Sequence, residues 1–404
     1  PKIGRLAYGL PESVGLSSDK LKTIDSIAQE AIDQKMTPGM QILVAKKGKI
    51  VYRKNFGTLD YNPAHKVNDH TIYDLASLTK ILATLPELMR LYTKGDFKPN
   101  DTFEDLLPRL KDTNKGGMTM KEVLSHYAQF QSWIPFFNQT LDKNKKPLPE
   151  FYSTTPSDSF PTQVAKDLYL REGFTDSIYK RIDDSNLIKD KKYLYSDLPY
   201  YYFKLFIEKK TKKPLQEAVQ KHFYRELGAY QLTYLPLERF PIANIAPAED
   251  EKTFRGQELR GYVHDQGAAL LGGVGGHAGL FGTADDVAKM MQMYLQKGYY
   301  GGTWYLQPQA IQLFNTCNYC TEGNRRGLGF DKPQLGKAGP TCGCVPMESF
   351  GHTGFTGTFA WADPINEIVI VFLSNRTYPS AENKLLINKL IRQRVQEVVY
   401  KAGL

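Results

Sequence analysis

Strand-like segments lie at the two ends of this chain of 404 residues, and mainly helical patterns lie between them. Residues 41–45 and 50–53 are joined by a polar turn at 46–49, which predicts a hairpin. Residues 367–373 are almost continuously apolar, as in a strand covered on both faces. This order, with strands at both ends and helices between them, predicts a single sheet built from both ends of the chain.

Amphipathic helices flank these strands. Apolar residues keep a 3.6 period between Leu21 and Ile32, after a cap at Ser17 or Ser18, and again from Leu385 to Val399. The predicted fold is α/β (α+β): an antiparallel sheet flanked by terminal helices, with an inserted helical lobe. We place the sheet lobe at residues 1–76 and 256–404 and the mainly helical lobe at residues 77–255.

Composition excludes several classes of protein. Hydrophobic residues make up 41% and charged residues 24%, which is typical of globular chains and not of disordered or coiled-coil ones. No apolar run of about 18 residues occurs, so no transmembrane segment is predicted. The 52 Lys and Arg against 43 Asp and Glu give a net charge of +9, but the positive residues are dispersed, so no nucleic-acid partner is predicted.

Several familiar catalytic motifs do not occur in the sequence. It contains no G-x-S-x-G, no H-E-x-x-H and no Walker A pattern. The glycine-rich segment 273–278 imitates a dinucleotide fingerprint, but no strand pattern precedes it. The sequence therefore gives little support to a nucleotide site.

The motif S-x-x-K occurs three times, beginning at Ser17, Ser77 and Ser177. Ser17 is better explained as a helix cap, and Ser177 lies in a charge-rich stretch without an apolar helix pattern, so we predict it at the surface. Ser77 begins a strongly apolar helix, where its N–H points out of the helix end and Lys80 lies on the same face. A buried Lys can lose its proton near neutral pH and serve as a base, so this copy can carry nucleophilic chemistry. Pro86 is expected to kink or divide the helix.

Two further segments complete a candidate site. Tyr195, in Tyr-Ser-Asp, can relay a proton or be an ordinary core tyrosine, and Asp197 can bond the Lys ammonium. The segment 351–358, Gly-His-Thr-Gly-Phe-Thr-Gly-Thr, is typical of a glycine-containing strand edge, where Phe355 N–H can serve an oxyanion. Each segment alone also fits a purely structural role.

In combination, S-x-x-K, Y-x-D and H-T-G resemble the serine β-lactamase and penicillin-binding-protein superfamily, above all its class C β-lactamase, D-Ala-D-Ala carboxypeptidase and esterase branch. The resemblance covers nearly the whole chain and implies a β-lactamase/transpeptidase-like fold. It implies that Ser77 is the acylated nucleophile, that Lys80 is its base or base partner, and that Tyr195 relays protons to the leaving group and activates the deacylating water. The site residues that it implies beside the substrate are Asp197, His352, Thr353, Gly354 and Phe355, with an oxyanion hole formed by the Ser77 and Phe355 N–H groups.

The chain departs from that pattern at two positions. Asp197 stands where Asn is commoner, and its charge favours a protonated Lys80. His352 replaces the Lys of true β-lactamases and is mostly neutral at pH 7, which weakens a fixed cation for a substrate carboxylate. Both changes disfavour an efficient β-lactamase and leave esterase or peptidase activity open.

Two other polar groups are assigned structural roles. His126 matches a helical segment of many relatives, and packing or a local hydrogen bond is the preferred role. His264 and Asp265 form a polar pair before the glycine-rich segment and are expected to position a loop.

Four cysteines form two close pairs, Cys317 with Cys320 and Cys342 with Cys344. Four thiolates can hold a structural Zn²⁺, and the same residues can form disulfides or stay free. In each case their role is to pin the loop beside the H-T-G strand. No cofactor is predicted for catalysis.

These observations predict a serine hydrolase that forms an acyl-enzyme on a small-molecule or peptide substrate and cleaves an ester, amide or β-lactam bond, in cell-wall peptide metabolism. The alternatives are a true β-lactamase and a silent peptidoglycan-binding or docking module. Residues 274–281 are also similar to serine hydrolase modules attached to cell-wall β-N-acetylhexosaminidases, and a start at Pro1 without a leader fits an excised module of that kind. The resemblance thus implies a periplasmic or cell-envelope location and a covalent link to a glycosidase domain in the full-length protein.

Overall fold

The computed structural model describes residues 4–403, so Pro1 lies outside the described residues. The strands are β1 (Ala7–Tyr8), β2 (Gly39–Lys46), β3 (Lys49–Gly57), β4 (Tyr73–Asp74), β5 (Tyr152–Ser153), β6 (Thr162–Ala165), β7 (Leu168–Leu170), β8 (Glu249–Asp250), β9 (Glu258–Leu259), β10 (Phe281–Gly282), β11 (Tyr299–Tyr300), β12 (Thr303–Trp304), β13 (Phe350–Gly354), β14 (Thr358–Asp363) and β15 (Ile368–Ser374).

The α-helices are α1 (Ser18–Leu21), α2 (Thr23–Asp33), α3 (Leu85–Thr93), α4 (Phe103–Leu106), α5 (Met120–Leu124), α6 (Phe174–Asp184), α7 (Leu198–Thr211), α8 (Leu215–Val219), α9 (Arg225–Leu227), α10 (Gln266–Leu270), α11 (Ala284–Leu295), α12 (Pro308–Phe314), α13 (Leu385–Asn388) and α14 (Ile391–Lys401). The 3₁₀ turns are Pro11–Val14, Pro108–Leu110, Phe136–Thr140, Pro236–Glu238, Ile242–Asn244 and Cys320–Glu322, and the π-helical turns are Lys80–Thr84 and Gln220–Tyr224.

The main sheet joins both ends of the chain, as predicted. Its six strands follow the order β1-β3-β2-β15-β14-β13. The pairs are antiparallel except β1 with β3, which is parallel. Strand β13 is at one edge, so the predicted edge position of the His-Thr-Gly segment is confirmed.

Both faces of the central strands are covered, which explains their continuous apolar runs. In β15, Ile368, Ile370 and Phe372 belong to one hydrophobic cluster, together with residues of α2 and α14. The alternate residues Val369 and Val371 belong to a second, larger cluster that includes α11. Because side chains alternate along a strand, one sheet buries apolar surface on its two sides.

The inserted region is less purely helical than predicted. Between the helices, β5, β7 and β6 form a small antiparallel sheet. These strands are short and irregular, with a register shift in β6. They therefore lack the long alternation of apolar and polar residues by which a strand is recognised in a sequence. The larger hydrophobic cluster contains residues of both predicted lobes, so the two lobes share one core. The lobe boundaries at residues 77 and 255 stay a prediction.

Candidate active site

The turn before Ser77 is held in a strained backbone conformation. Ala76 has a φ of 47°, in the left-handed region, and its N–H donates to Asp74 Oδ1 at 2.8 Å. Asp74 Oδ2 accepts the His264 N–H at 2.7 Å. Burial raises the pKa of Asp74, yet two backbone donors fix both of its oxygens. The carboxylate therefore sets the direction in which the chain enters the Ser77 helix.

The helix after Ser77 widens into the π-helical turn Lys80–Thr84 and then continues through α3. The predicted division at Pro86 takes the form of a change of helix type, from the π-helical turn to α3 at Leu85, and Pro86 in the first turn of α3 does not end the helix. Pro86 has no N–H for the Leu82 carbonyl, and the hydroxyl of Tyr224 donates to that oxygen at 2.7 Å instead. The Tyr294 hydroxyl likewise donates to the Ile81 carbonyl at 2.6 Å. Buried tyrosines thus satisfy the carbonyls that the wider turn leaves without helical partners.

Ser77, Lys80 and Tyr195 come together as the motifs predict. Lys80 Nζ donates to Ser77 Oγ at 3.0 Å, and Tyr195 Oη donates to the same oxygen at 2.8 Å. Lys80 is fully buried, and its ammonium lies 2.7 Å from Asp197 Oδ1. It also donates to the carbonyl of His277 at 3.1 Å. Ser77 Oγ is therefore the point where two proton-carrying groups meet.

The charges at this point are fixed by the surrounding groups. Burial lowers the pKa of Lys80, but the Asp197 carboxylate and Tyr195 raise it by more, and the net pKa lies above its ordinary value. Burial raises the pKa of Tyr195, although the Lys80 charge opposes this. The resting site thus holds a Lys80 ammonium and a Tyr195 phenol. A neutral Lys80, which burial alone would favour, is disfavoured by Asp197.

Strand β13 lies against the turn before Ser77. A Cβ at Gly354 would lie 1.9 Å from Thr358 Oγ1 and 2.9 Å from the Leu75 carbonyl oxygen, so only glycine fits. The Thr358 hydroxyl donates to that same carbonyl at 3.1 Å, and the Thr356 hydroxyl donates to the Asp74 carbonyl at 2.8 Å. These contacts bring the His-Thr-Gly strand beside the candidate nucleophile.

Phe355 follows this strand directly, and its side chain is about half exposed. Its ring stacks on His264 at a centroid distance of 5.6 Å, and the Arg376 guanidinium carbon lies 4.6 Å from the ring centroid. Thr353 is partly exposed on β13. The oxyanion role of the Ser77 and Phe355 N–H groups stays a prediction.

His352 is neutral, as its ordinary pKa suggests, but for a stronger reason than the sequence gives. Burial and then the charge of Arg326 hold the pKa of His352 well below its usual value. Its Nε2 lies 3.0 Å from Arg326 Nη1, and its Nδ1 lies 2.6 Å from the Thr353 carbonyl oxygen. Sequence reasoning missed Arg326, because it lies in an irregular loop outside every motif.

His126 has the structural role expected of it. Its Nδ1 accepts the Ser196 N–H at 3.1 Å, and its ring packs against Tyr195 at a centroid distance of 4.7 Å. Burial, followed by the charge of Arg326, lowers its pKa well below the usual value. A neutral His126 thus holds the segment that carries Tyr195.

His264 and Asp265 position loops, as expected. His264 lies 2.6 Å from Glu249, and Asp265 caps α10 by accepting the Ala268 N–H at 2.7 Å. Asp265 also lies 2.6 Å from Nε2 of His277, whose carbonyl accepts from Lys80. Burial raises the pKa of Asp265, but the His277 charge lowers it by more. Asp265 therefore supports the Lys80 pocket through His277.

The other two S-x-x-K copies lie outside the site. Ser17 caps α1, accepting the Lys20 N–H at 3.2 Å. Lys180 pairs with Asp184 at 2.7 Å on an exposed face, as predicted, but Ser177 lies within α6, where no helix was predicted. The buried residues of that helix are Phe174, Ile178, Tyr179 and Ile182, a short apolar stripe between many charges.

The four cysteines form two disulfides, Cys317–Cys320 and Cys342–Cys344. Within residues 4–403 no group of three or more His, Cys, Asp or Glu side chains is placed to hold a metal ion. A disulfide sulfur is not a thiolate ligand, so the structure favours the disulfide alternative over the zinc site. No helix between residues 4 and 403 is long and apolar enough to span a membrane.

Comparison with known proteins gives the same picture as the geometry. A family model described as "Beta-lactamase" matches residues 24–392. An Escherichia coli (strain K12) protein named "Putative D-alanyl-D-alanine carboxypeptidase" is 30% identical over 401 residues, covering 92% of this chain and 86% of the relative. A relative of the same name from Salmonella enteritidis is 29% identical over 405 residues, covering 94% and 88%.

Solved structures share the fold at low identity. EstCE1, described as a hydrolase with promiscuous acyltransferase activity, has a TM-score of 0.68 at 18% identity, covering 95% of this chain and 99% of its own. A penicillin-binding-protein homologue from Caulobacter crescentus has a TM-score of 0.63 at 18% identity, with 89% and 93% covered.

Proposed function

This chain belongs to the beta-lactamase family and is a serine hydrolase, and we propose that it is a carboxypeptidase that removes a C-terminal D-amino acid from cell-wall peptides through an acyl-enzyme on Ser77. The observation that carries the proposal is the convergence of Lys80 Nζ and Tyr195 Oη on Ser77 Oγ, at 3.0 and 2.8 Å. The choice of substrate rests on the names of relatives that match more than nine-tenths of this chain.

In the proposed reaction, Tyr195 first releases its phenolic proton to solvent, and the phenolate then takes the proton of Ser77 as Oγ attacks the peptide carbonyl. The resulting phenol passes that proton to the departing amine. Since Asp197 keeps Lys80 protonated, we assign Lys80 the part of a fixed cation that stabilises the phenolate form of Tyr195. Water then attacks the acyl carbonyl and gives a proton to the Tyr195 phenolate, and Tyr195 returns that proton to Ser77 Oγ as the C–O bond of the acyl-enzyme breaks. The Ser77 and Phe355 N–H groups would bind the oxyanion in both steps.

Labelling with a fluorophosphonate or a fluorescent penicillin, followed by peptide mapping, tests the nucleophile. Wild-type protein is expected to be labelled on Ser77, and Ser77→Ala to lose the label. Ser177→Ala is the matched control, because it alters a partly exposed S-x-x-K serine on α6, outside the site, and should label like wild type. Equal labelling of wild type and Ser77→Ala would refute the acyl-enzyme and leave the silent binding module.

Substrate class is tested by turnover. Release of D-alanine from a peptide ending in D-Ala-D-Ala supports the proposal. Hydrolysis of a chromogenic ester without D-alanine release would replace it with an esterase, and rapid cephalosporin hydrolysis would replace it with a β-lactamase. A carboxypeptidase of this kind would act in the periplasm or cell envelope, and a linked glycosidase domain stays a prediction.

A further inference from the structure

A buried arginine lies behind the His-Thr-Gly strand and contacts two side chains of the proposed site. Arg326 Nη1 donates to His352 Nε2 at 3.0 Å, and its guanidinium carbon lies 5.0 Å from the centre of the Tyr195 ring. Its Nε donates to the Tyr193 hydroxyl at 3.4 Å. Only 3% of Arg326 is exposed, so it does not reach a substrate directly.

We propose that Arg326 is a positioning residue that supplies a second fixed positive charge to this site, beside Lys80, by locking His352 as a neutral acceptor and by stabilising negative charge on Tyr195. The inference rests on the proposed function, since it concerns how the same site works. It assigns to a buried arginine the charge that the Lys of true β-lactamases would place on the strand.

The hydrogen bonds around His352 allow only one arrangement of protons. Arginine donates and never accepts, so His352 Nε2 must be the acceptor in the 3.0 Å bond with Arg326. A backbone carbonyl only accepts, so Nδ1 must carry the proton in the 2.6 Å bond to Thr353. Protonation of Nε2 would place two donors against each other. Arg326 thus selects one neutral tautomer of His352.

The charge of Arg326 is not cancelled by its acidic neighbour. Asp331 lies 3.6 Å from Arg326 Nε, but its two oxygens accept closer bonds from Arg325, at 2.7 and 3.0 Å. Two guanidinium groups therefore face one carboxylate, which leaves a net positive charge. The low dielectric of a buried site makes this charge effective across the distance to the Tyr195 ring.

A charge placed in this way acts on the chemical step. Tyr195 is a neutral phenol in the resting site and is negative only as the phenolate that takes the Ser77 proton, so the attraction favours the reactive form over the resting form with substrate bound. Its loss should therefore lower kcat far more than it changes KM. A purely structural role would instead predict a loss of stability, without a selective fall in kcat relative to KM.

Arg326→Gln, Arg326→Lys and Arg325→Gln are the variants that test this proposal, with a chromogenic ester as substrate. Arg326→Gln is expected to lower kcat about 10- to 100-fold while KM changes less than about threefold. Arg326→Lys, which keeps the charge, should recover part of the loss. Arg325→Gln removes an equal charge from the same loop and leaves Asp331 to Arg326 alone, but the Arg326 guanidinium stays beside His352 and Tyr195, so kcat should fall less than in Arg326→Gln.

Histidine ¹⁵N NMR supplies a readout that a structural role would not move. In wild type, His352 should remain in the neutral form protonated on Nδ1 from pH 5 to 8, with its signal assigned by its loss in His352→Asn. In Arg326→Gln the same signal should titrate at higher pH than in wild type, because one of the charges that hold the pKa of His352 down is removed while its burial remains. An unchanged kcat and an unchanged His352 signal in folded Arg326→Gln would overturn the proposal, as would equal kcat losses in Arg325→Gln and Arg326→Gln.

Failure of the proposed function is distinguishable from failure of this inference. If wild-type protein is not labelled on Ser77, the acyl-enzyme itself is refuted. If wild type is labelled and turns over substrate while Arg326→Gln keeps the same kcat, only the role of Arg326 is refuted.

Discussion

Replacement of Asp197 by Asn should move the pH profile of catalysis, because this carboxylate sets the charge of the site. Asp197 Oδ1 lies 2.7 Å from the Lys80 ammonium. Its charge raises the pKa of Lys80 against the lowering effect of burial, and it also raises the pKa of Tyr195. Asn keeps the shape and removes the charge, so in the variant the proton-accepting group loses its proton at lower pH. Since both pKa values fall, the direction does not depend on which group is the base.

The structure also bounds the size of this effect. An opposite charge within about 4–6 Å typically changes a pKa by about 1–3 pH units. About a quarter of the Asp197 side chain is exposed, so solvent weakens the interaction and the lower end applies. We expect the acidic limb of kcat/KM to move about one pH unit toward lower pH, which is about a tenfold rate increase on that limb.

The assay is hydrolysis of a chromogenic ester by wild type and Asp197→Asn between about pH 5 and 10. Asp363→Asn is the control, since Asp363 is buried at the far end of β14 and its replacement changes the net charge equally. Its profile should match wild type. An acidic limb that stays in place in Asp197→Asn, or that moves toward higher pH, would refute the reasoning about Lys80 and Tyr195.

Three further substitutions test the supports of the site. Gly354→Ala places a Cβ within 1.9 Å of Thr358 Oγ1, so β13 must shift; acyl-probe labelling should slow about 10- to 100-fold, and an unchanged labelling rate would contradict the close fit. Tyr224→Phe leaves the Leu82 carbonyl without its donor and should lower the free energy of unfolding in urea by about 1–3 kcal/mol, with no loss expected if the π-helical turn is satisfied otherwise. Glu251→Ala removes the carboxylate that lies 2.7 Å from the buried guanidinium of Arg255, and should lower the free energy of unfolding in a thermal melt by about 3–5 kcal/mol. An unchanged stability would show that the backbone carbonyls around Arg255 are enough to hold its charge.

The sheet was predictable because its residues carry a strong periodic signal. The run of β15 is apolar at successive positions, which predicts a central strand with both faces covered. The segment after Ser77 has apolar residues at helical spacing instead, so the two kinds of element could be told apart. The small sheet of β5 to β7 was not predictable, since strands of two to four residues show no period. Helix α6 was missed because charged residues dilute its apolar stripe.

Part of the site was predictable for a different reason. Ser77, Tyr195 and the 351–358 segment lie in short motifs whose residue types are tied to their chemistry, and the structure brings them together. Arg326 belongs to no motif, and nothing in its flanking residues distinguishes it from the other arginines. Its role depends on loop 315–332 folding back onto β13, where Asp331 pairs with Gly351. Such long-range placement leaves no periodic trace in the sequence.

The two departures from the family pattern form a coherent pair once Arg326 is included. Asp197 adds a negative charge that keeps Lys80 protonated, and a neutral His352 removes a positive charge from the strand. Arg326 restores a positive charge on the other side of Tyr195, whose ring lies 4.9 Å from Lys80 Nζ and 5.0 Å from the Arg326 guanidinium carbon. The phenol therefore lies between two buried cations, which favours a transient phenolate even though burial opposes it. On this reasoning, Asp197→Asn and Arg326→Gln act in opposite directions on the same proton acceptor, and the double variant should return the acidic limb toward its wild-type position.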